Sequence, residues 1–254
     1  MIQEIAWVVT GALAGGFVTG LTGFGTGMTA LVFWLHAMTP LTAAPLVAIC
    51  SVVGQVQSLP SIRHALHIRV VAPFVAGGLL GIPVGAWLLT HLDLAVFKFW
   101  VGALITTYCA IVLAGGFRFR VRNQSRLLDG GIGLGGGVLG GLAGLSGPLP
   151  IIWVGLRGWD KDKRRAVVQV FNTVILGVAI AVYAAAGLLT FQLWRVVLIA
   201  LPGTLIGAFI GQRVYRRLDD HRFDRLVLAV LLFAGVLLMA SSLLPVDGSP
   251  VTKT

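Results

Sequence analysis

The sequence predicts an all-α polytopic membrane protein. It has about eight hydrophobic segments in two inverted repeats of four, with the first segment of each repeat broken. Three observations carry this reading: composition, an internal duplication, and the distribution of Lys and Arg. The 254 residues are 57% hydrophobic and only 11% charged, against about 25% charged in a soluble domain. The apolar residues come in runs of about 20, the length that crosses a hydrocarbon core of about 30 Å. These runs fall at about 5–35, 41–59, 70–90, 95–115, 129–155, 166–186, 194–213 and 224–244. The loops between them are too short for a soluble domain. The N-terminal MIQEIAW lacks a positive n-region and reads as the start of the first segment.

The duplication is visible in glycine. Residues 16–31 read GFVTGLTGFGTGMTAL and residues 137–152 read GVLGGLAGLSGPLPII, so Gly16, Gly20 and Gly23 fall on Gly137, Gly141 and Gly144. Ser51 falls on Asn172 in the same register. A second match aligns Gly77, Gly81, Gly85, Leu92, Asp93 and Phe97 with Gly203, Gly207, Gly211, Leu218, Asp219 and Phe223. A Gly ladder alone is common in membrane helices; a ladder followed at one distance by Leu-Asp and Phe points to duplication. The expected organisation is a first membrane repeat at 1–116, a basic linker at 117–126, a second repeat at 127–245 and a short polar tail at 246–254.

Charge decides how the halves face. If all eight segments cross, the 19 Lys and Arg divide eleven to eight, almost without bias. If segments 1 and 5 enter and return on the same side, they divide sixteen to three. The larger group is then Arg63, Arg69, Arg118, Arg120, Arg122, Arg126, Arg157, Lys161, Lys163, Arg164, Arg165, Arg213, Arg216, Arg217, Arg222 and Arg225. That count favours re-entrant segments built of two half-helices of about 20 Å each, with inverted halves. Eight full crossings with parallel halves is the alternative. The basic residues read as cytoplasmic loops rather than as a nucleic-acid surface. Cys50 and Cys109 lie in apolar segments and suggest neither a disulfide nor a metal site.

Irregular backbone at membrane depth is tolerated where it lines a cavity, so the breaks are the candidate site. They contribute Thr22, Gly23, Gly25 and Thr26 from the first half, and Gly144, Ser146 and Gly147 from the second. Unpaired N–H groups at the start of each second half-helix suit an anion. Ser51, Gln55 and Asn172 on the following segments complete the expected set. No ionisable residue falls well inside these apolar segments, with Arg164 and Arg165 assigned to the loop before segment 6. A proton-coupled carrier usually keeps such a group in the membrane, so the expectation is export of an anion driven by the membrane potential. Gly144-Leu145-Ser146-Gly147 also matches the G-x-S-G of intramembrane serine proteases, but a serine nucleophile needs a base. The only histidine after Ser146 is His221, in a charged stretch. The expectation is therefore a non-enzymatic protein without metal or cofactor. A channel-like facilitator is the runner-up and a protease the third reading.

The two Gly-rich first segments, the four-plus-four duplication and the Gly ladder with Leu-Asp together resemble the sulfite exporter TauE/SafE family over nearly the whole chain. The resemblance implies a multi-pass permease of the bacterial inner membrane. Its partners would be the lipid bilayer and a small anion, often sulfur-containing: sulfite, sulfoacetate or another organosulfonate. It transfers no site residue and leaves homo-oligomerisation open. The second break departs from the first, with Ser146-Gly147-Pro148 where the first has Gly25-Thr26-Gly27, so the two half-sites need not contribute equally.

Overall fold

A computed structural model describes residues 2–35, 37–59, 67–91, 125–217 and 219–243, with scattered positions between 96 and 110. The expected fourth segment lies largely outside the described residues. So do Leu92, Asp93, Phe97, Leu218, most of the basic linker and the polar tail. The described chain is helical: α1 Ile2–Thr22, α2 Thr26–Trp34, α3 Pro40–Ser58, α4 Ile68–Leu89, α5 Arg126–Ala143, α6 Pro148–Leu156, α7 Lys161–Ala185, α8 Phe191–Tyr215 and α9 Asp220–Leu243. Among the described residues there is no strand, and α1, α3, α4, α7 and α8 are long and apolar enough to cross a membrane.

Both Gly-rich segments break where their residues require it. Gly23 and Gly25 take φ of 80° and 97°, and Gly144 takes 69°, a region that side chains disfavour. α1 ends where the Gly23 N–H donates to the Thr19 carbonyl at 2.8 Å. α5 ends in a 6→1 closure, with the Leu145 N–H donating to the Leu139 carbonyl at 3.1 Å. After each break the chain turns back along itself. The Trp34 indole at the end of α2 donates to the Val8 carbonyl at 3.0 Å. The Trp153 indole on α6 donates to Asp129 Oδ1 at 2.7 Å. Val8 and Asp129 occupy the same repeat position under the register that pairs Gly23 with Gly144, so the two hairpins close alike. Their arms are unequal. α1 and α5 have 21 and 18 residues, while α2 and α6 have nine each. At about 1.5 Å per residue the arms are about 27–32 Å and about 14 Å, not two equal halves. The cause is local: the positive-φ glycines sit two-thirds of the way along each segment.

The glycine ladders are the seams that join the two halves. α4 lies parallel to α5: a Cβ on Gly77, Gly81 or Gly85 would overlap the carbonyl oxygen of Gly130, Leu134 or Val138. From the other side, a Cβ on Gly133, Gly137 or Gly141 would overlap that of Phe74, Gly78 or Ile82. α8 lies parallel to α1 in the same way, with Gly207 and Gly211 on Leu13 and Phe17, and Gly16 and Gly20 on Thr204 and Ala208. Each half thus packs its ladder helix on the other half's hairpin. Only residues without a Cβ allow backbones this close.

These seams also fix direction. α8 returns against α7, the Tyr215 hydroxyl at its end donating to Asp162 at the start of α7. α5 runs along α7, with Gly136 against Phe171 and Gly140 against Ile175. α1 therefore runs opposite to α5, and the hairpins enter the bundle from opposite ends. Phe24 packs on Gly147, and Leu145 on Gly27, so the two tips meet in its interior. α3 and α7 cross beside them: Gln169 reaches Gln55 and Ser58, and Thr173 reaches Gln55. α9 packs on α2 and α7. Described positions of the fourth segment lie against it, with Gly102 facing Met239 and Gly235 facing Thr106.

Candidate functional site

Where the tips meet, they line a narrow pocket with room in this conformation for about one water molecule. Six of the ten sequence-derived positions line it: Gly25, Ser51, Gln55, Gly144, Gly147 and Asn172. Gly27, Met28, Leu145, Pro148 and Leu176 complete the wall. Ser51, Gln55 and Asn172 are all 2% exposed or less. No carboxylate is among the lining residues, and among the described residues no cluster of His, Cys, Asp and Glu could hold a metal ion.

The other four positions support the walls. Thr22 Oγ1 donates to the carbonyls of Val18 and Phe24, at 2.9 and 2.7 Å, satisfying the broken backbone. Thr26 pairs its hydroxyl with Thr19. Gly23 faces α7 rather than the pocket, next to Arg165 and Gln169. Ser146 Oγ donates to Asn172 Oδ1 at 2.7 Å, so its hydroxyl holds a pocket residue, and its partner is an amide, not a base.

Backbone donors differ between the two tips. In α2, Thr29 N–H already reaches the Gly25 carbonyl at 3.1 Å. The N–H groups of Gly25, Thr26, Gly27 and Met28 precede the first intrahelical bond and have no acceptor in the helix. α6 starts Pro148-Leu149-Pro150, and proline has no N–H. Its first turn therefore offers only Gly147 and Leu149. The α2 terminus thus has more backbone donors without an acceptor in the helix than the α6 terminus.

The charge pattern of the sequence places Arg165 in a loop. The structure corrects this: α7 starts at Lys161, capped by Asp160 Oδ1, which accepts from Lys163 N–H at 2.8 Å. Arg165 then lies inside a helix long enough to span a membrane, with 0% exposure. Its Nη2 donates to the Gly20 carbonyl at 2.6 Å, near the end of α1. Its guanidinium carbon sits 3.9 Å from the centre of the Tyr215 ring. The signal was present in Asp160, a strong N-cap residue six positions ahead of the expected segment. Extending the helix to that cap puts Arg165, Gln169, Asn172 and Leu176 on one face, at spacings of four, three and four.

Asp129, the other acidic residue near a segment start, is 5% exposed. It pairs with Arg157 at 2.5 Å and clamps the end of α6 to the start of α5. Trp153 and Trp159 flank Arg157, with centroids 5.3 and 5.2 Å away. Arg126, Lys163 and Arg213 lie at this same end of the bundle, at the starts of α5 and α7 and the end of α8. Arg195, at the start of α8, lies at the opposite end.

Comparison with known proteins finds a family and a relative. The family profile described as "Sulfite exporter TauE/SafE" matches residues 7–238. The chain is 30% identical over 177 residues to "Probable inner membrane transporter protein TsaS" of Comamonas testosteroni, covering 66% of this chain and 70% of that protein. No solved structure matches the chain.

Proposed function

The chain belongs to the sulfite exporter TauE/SafE family, and we propose that it carries sulfite or a small organosulfonate through the pocket between the two hairpin tips. One observation carries the reading. Unpaired N–H groups of the α2 terminus converge with the hydroxyl and amide groups of Ser51, Gln55 and Asn172 on a pocket without a carboxylate. Donors without a fixed charge suit a small oxyanion that must be released as well as bound. The positive end of the α2 dipole favours negative charge at the same place. The name of the Comamonas testosteroni relative supports an inner-membrane location.

In this reading the hairpins are re-entrant and inverted in the bilayer, and the basic end faces the cytoplasm, as the positive-inside rule expects. An inside-negative potential then favours outward movement by about 2.3 kcal/mol per charge per 100 mV, without a coupled proton. A carrier fits better than an open channel, because the buried Gln169 side chain of α7 hydrogen-bonds to Gln55 and Ser58 of α3 across the space between the pocket and the basic end. Catalysis forms no part of the proposal.

Proteoliposomes loaded with sulfite test it. The expected result is saturable efflux, slowed by methanesulfonate and accelerated by an imposed inside-negative potential. Efflux without saturation would favour the channel, and the absence of efflux would remove the reading. A fluorophosphonate should leave Ser146 unlabelled.

A further inference from the structure

We infer that Arg165 is a second anion contact, a relay that passes the substrate between the pocket and the basic end; this rests on the transport reading above. Three observations converge on it. First, Arg165, Gln169 and Asn172 share one face of α7, and Asn172 lines the pocket. Seven residues at about 1.5 Å each put Arg165 about 10 Å from Asn172 along the helix, toward the basic end. Ser51, Gln55 and Ser58 follow the same spacing on α3, which crosses antiparallel. Gln169 Nε2 donates to the Gln55 carbonyl at 2.8 Å and to Ser58 Oγ at 2.9 Å. A polar seam therefore runs from the pocket wall toward Arg165 between two otherwise apolar helices.

Second, the seam is closed but not satisfied. Arg165 uses Nη2 on the Gly20 carbonyl, while its Nε and Nη1 are buried without a hydrogen-bond partner. Leaving two buried donors of one guanidinium unmet is costly. It is explained if the site's normal occupant is an acceptor that this conformation does not hold. Nε–H shares one edge of the guanidinium with Nη2, the group now on Gly20, and an oxyanion gripping that edge through two parallel bonds contests the Gly20 contact.

Third, the contact is placed to open the seam. Gly20 belongs to the last turn of α1, and the Arg165 and Gln169 stems press on Gly23 in the break itself. An anion received on Arg165 competes with the Gly20 carbonyl for the guanidinium and loosens the hairpin tip that walls the pocket.

The test is sulfite flux in uniformly oriented proteoliposomes, with sulfite presented at either face, comparing wild type with Arg165→Met and Arg165→Lys. The expected result for Arg165→Met is a rise of about ten-fold or more in the half-saturating sulfite concentration at the basic face, the size of one charge-assisted hydrogen bond. At the other face the value stays close to wild type. Arg165→Lys keeps the charge without the fork and falls between them. If the Met variant does not fold, a one-sided rise in the Lys variant is the supporting result. Wild-type kinetics in the variants, or equal changes at both faces, would overturn the relay while leaving the pocket reading intact. Absence of saturable flux in the wild type would overturn both.

Discussion

Ser146 on the second hairpin tip donates its hydroxyl to the side-chain carbonyl of Asn172 in the middle of α7, at 2.7 Å. The bond ties a broken backbone to an unbroken helix. It also turns Asn172, leaving its amide N–H₂ as the group available to a negatively charged ligand. Ser146 is therefore a positioning residue in this account. Replacing it by alanine leaves a buried acceptor unmet, which costs on the order of 1–3 kcal/mol. Ser146→Ala should lower the melting temperature of the detergent-purified protein and reduce the stabilisation that added sulfite gives. An unchanged sulfite response would show that Asn172 does not depend on this bond.

The break at Gly144 should tolerate no side chain. A Cβ there would lie 2.5 Å from Val47 Cγ1, and the φ of 69° adds strain of about 1–2 kcal/mol. Gly144→Ala should therefore destabilise through two separable causes. Adding Val47→Ala clears the clash but not the backbone strain, so the double variant should recover only part of the loss. Full recovery in thermal denaturation would mean that the left-handed conformation is not required.

Glycines of similar sequence context should differ sharply. Gly81→Ala and Gly207→Ala drive a methyl into the backbone of Leu134 and Leu13, and backbone cannot step aside. Each should cost at least about 1–3 kcal/mol, the range for overpacking. A Cβ on Gly131 or Gly177 meets nothing within 4 Å. There alanine should be neutral or stabilising, by up to about 1 kcal/mol of helix propensity. Melting curves of the four variants would check the contrast, and uniform behaviour would contradict the seam assignment.

The fold was largely legible because membrane helices announce themselves by length and composition, and because a positive-φ turn leaves glycine as its trace at Gly23, Gly25 and Gly144. What the sequence left open was packing. The ladders at Gly77–Gly85 and Gly203–Gly211 were read as marks of duplication. Their sequence did not disclose that each packs on the other half's hairpin, since parallel contact between α4 and α5 joins residues far apart in the chain. The pocket was legible through Ser51, Gln55 and Asn172. Arg165 was missed because hydropathy ends a segment at the first cluster of charge, whereas the Asp160 cap starts the helix earlier and carries that charge inside.

The hairpins make a topological prediction. Arg126 at the start of α5 and Lys163 at the start of α7 lie at one end of the bundle, and Arg195 lies at the other. With Cys50 and Cys109 replaced by alanine, single cysteines at 126 and 163 should react with an impermeant maleimide from the same side of the membrane. A cysteine at 195 should react from the opposite side. Labelling of 126 and 163 from opposite sides would mean that α5 and α6 together cross the bilayer.

The central claim is that a sulfur oxyanion binds between the two tips. Selenite has the shape and charge of sulfite and an anomalous scattering signal, so a crystal of the full chain grown with selenite tests the claim most directly. The account predicts an anomalous peak within hydrogen-bonding distance of the N–H groups of Gly27 and Met28, facing Ser51 and Asn172. A peak elsewhere in the bundle, or none from protein whose sulfite transport selenite inhibits, would contradict it.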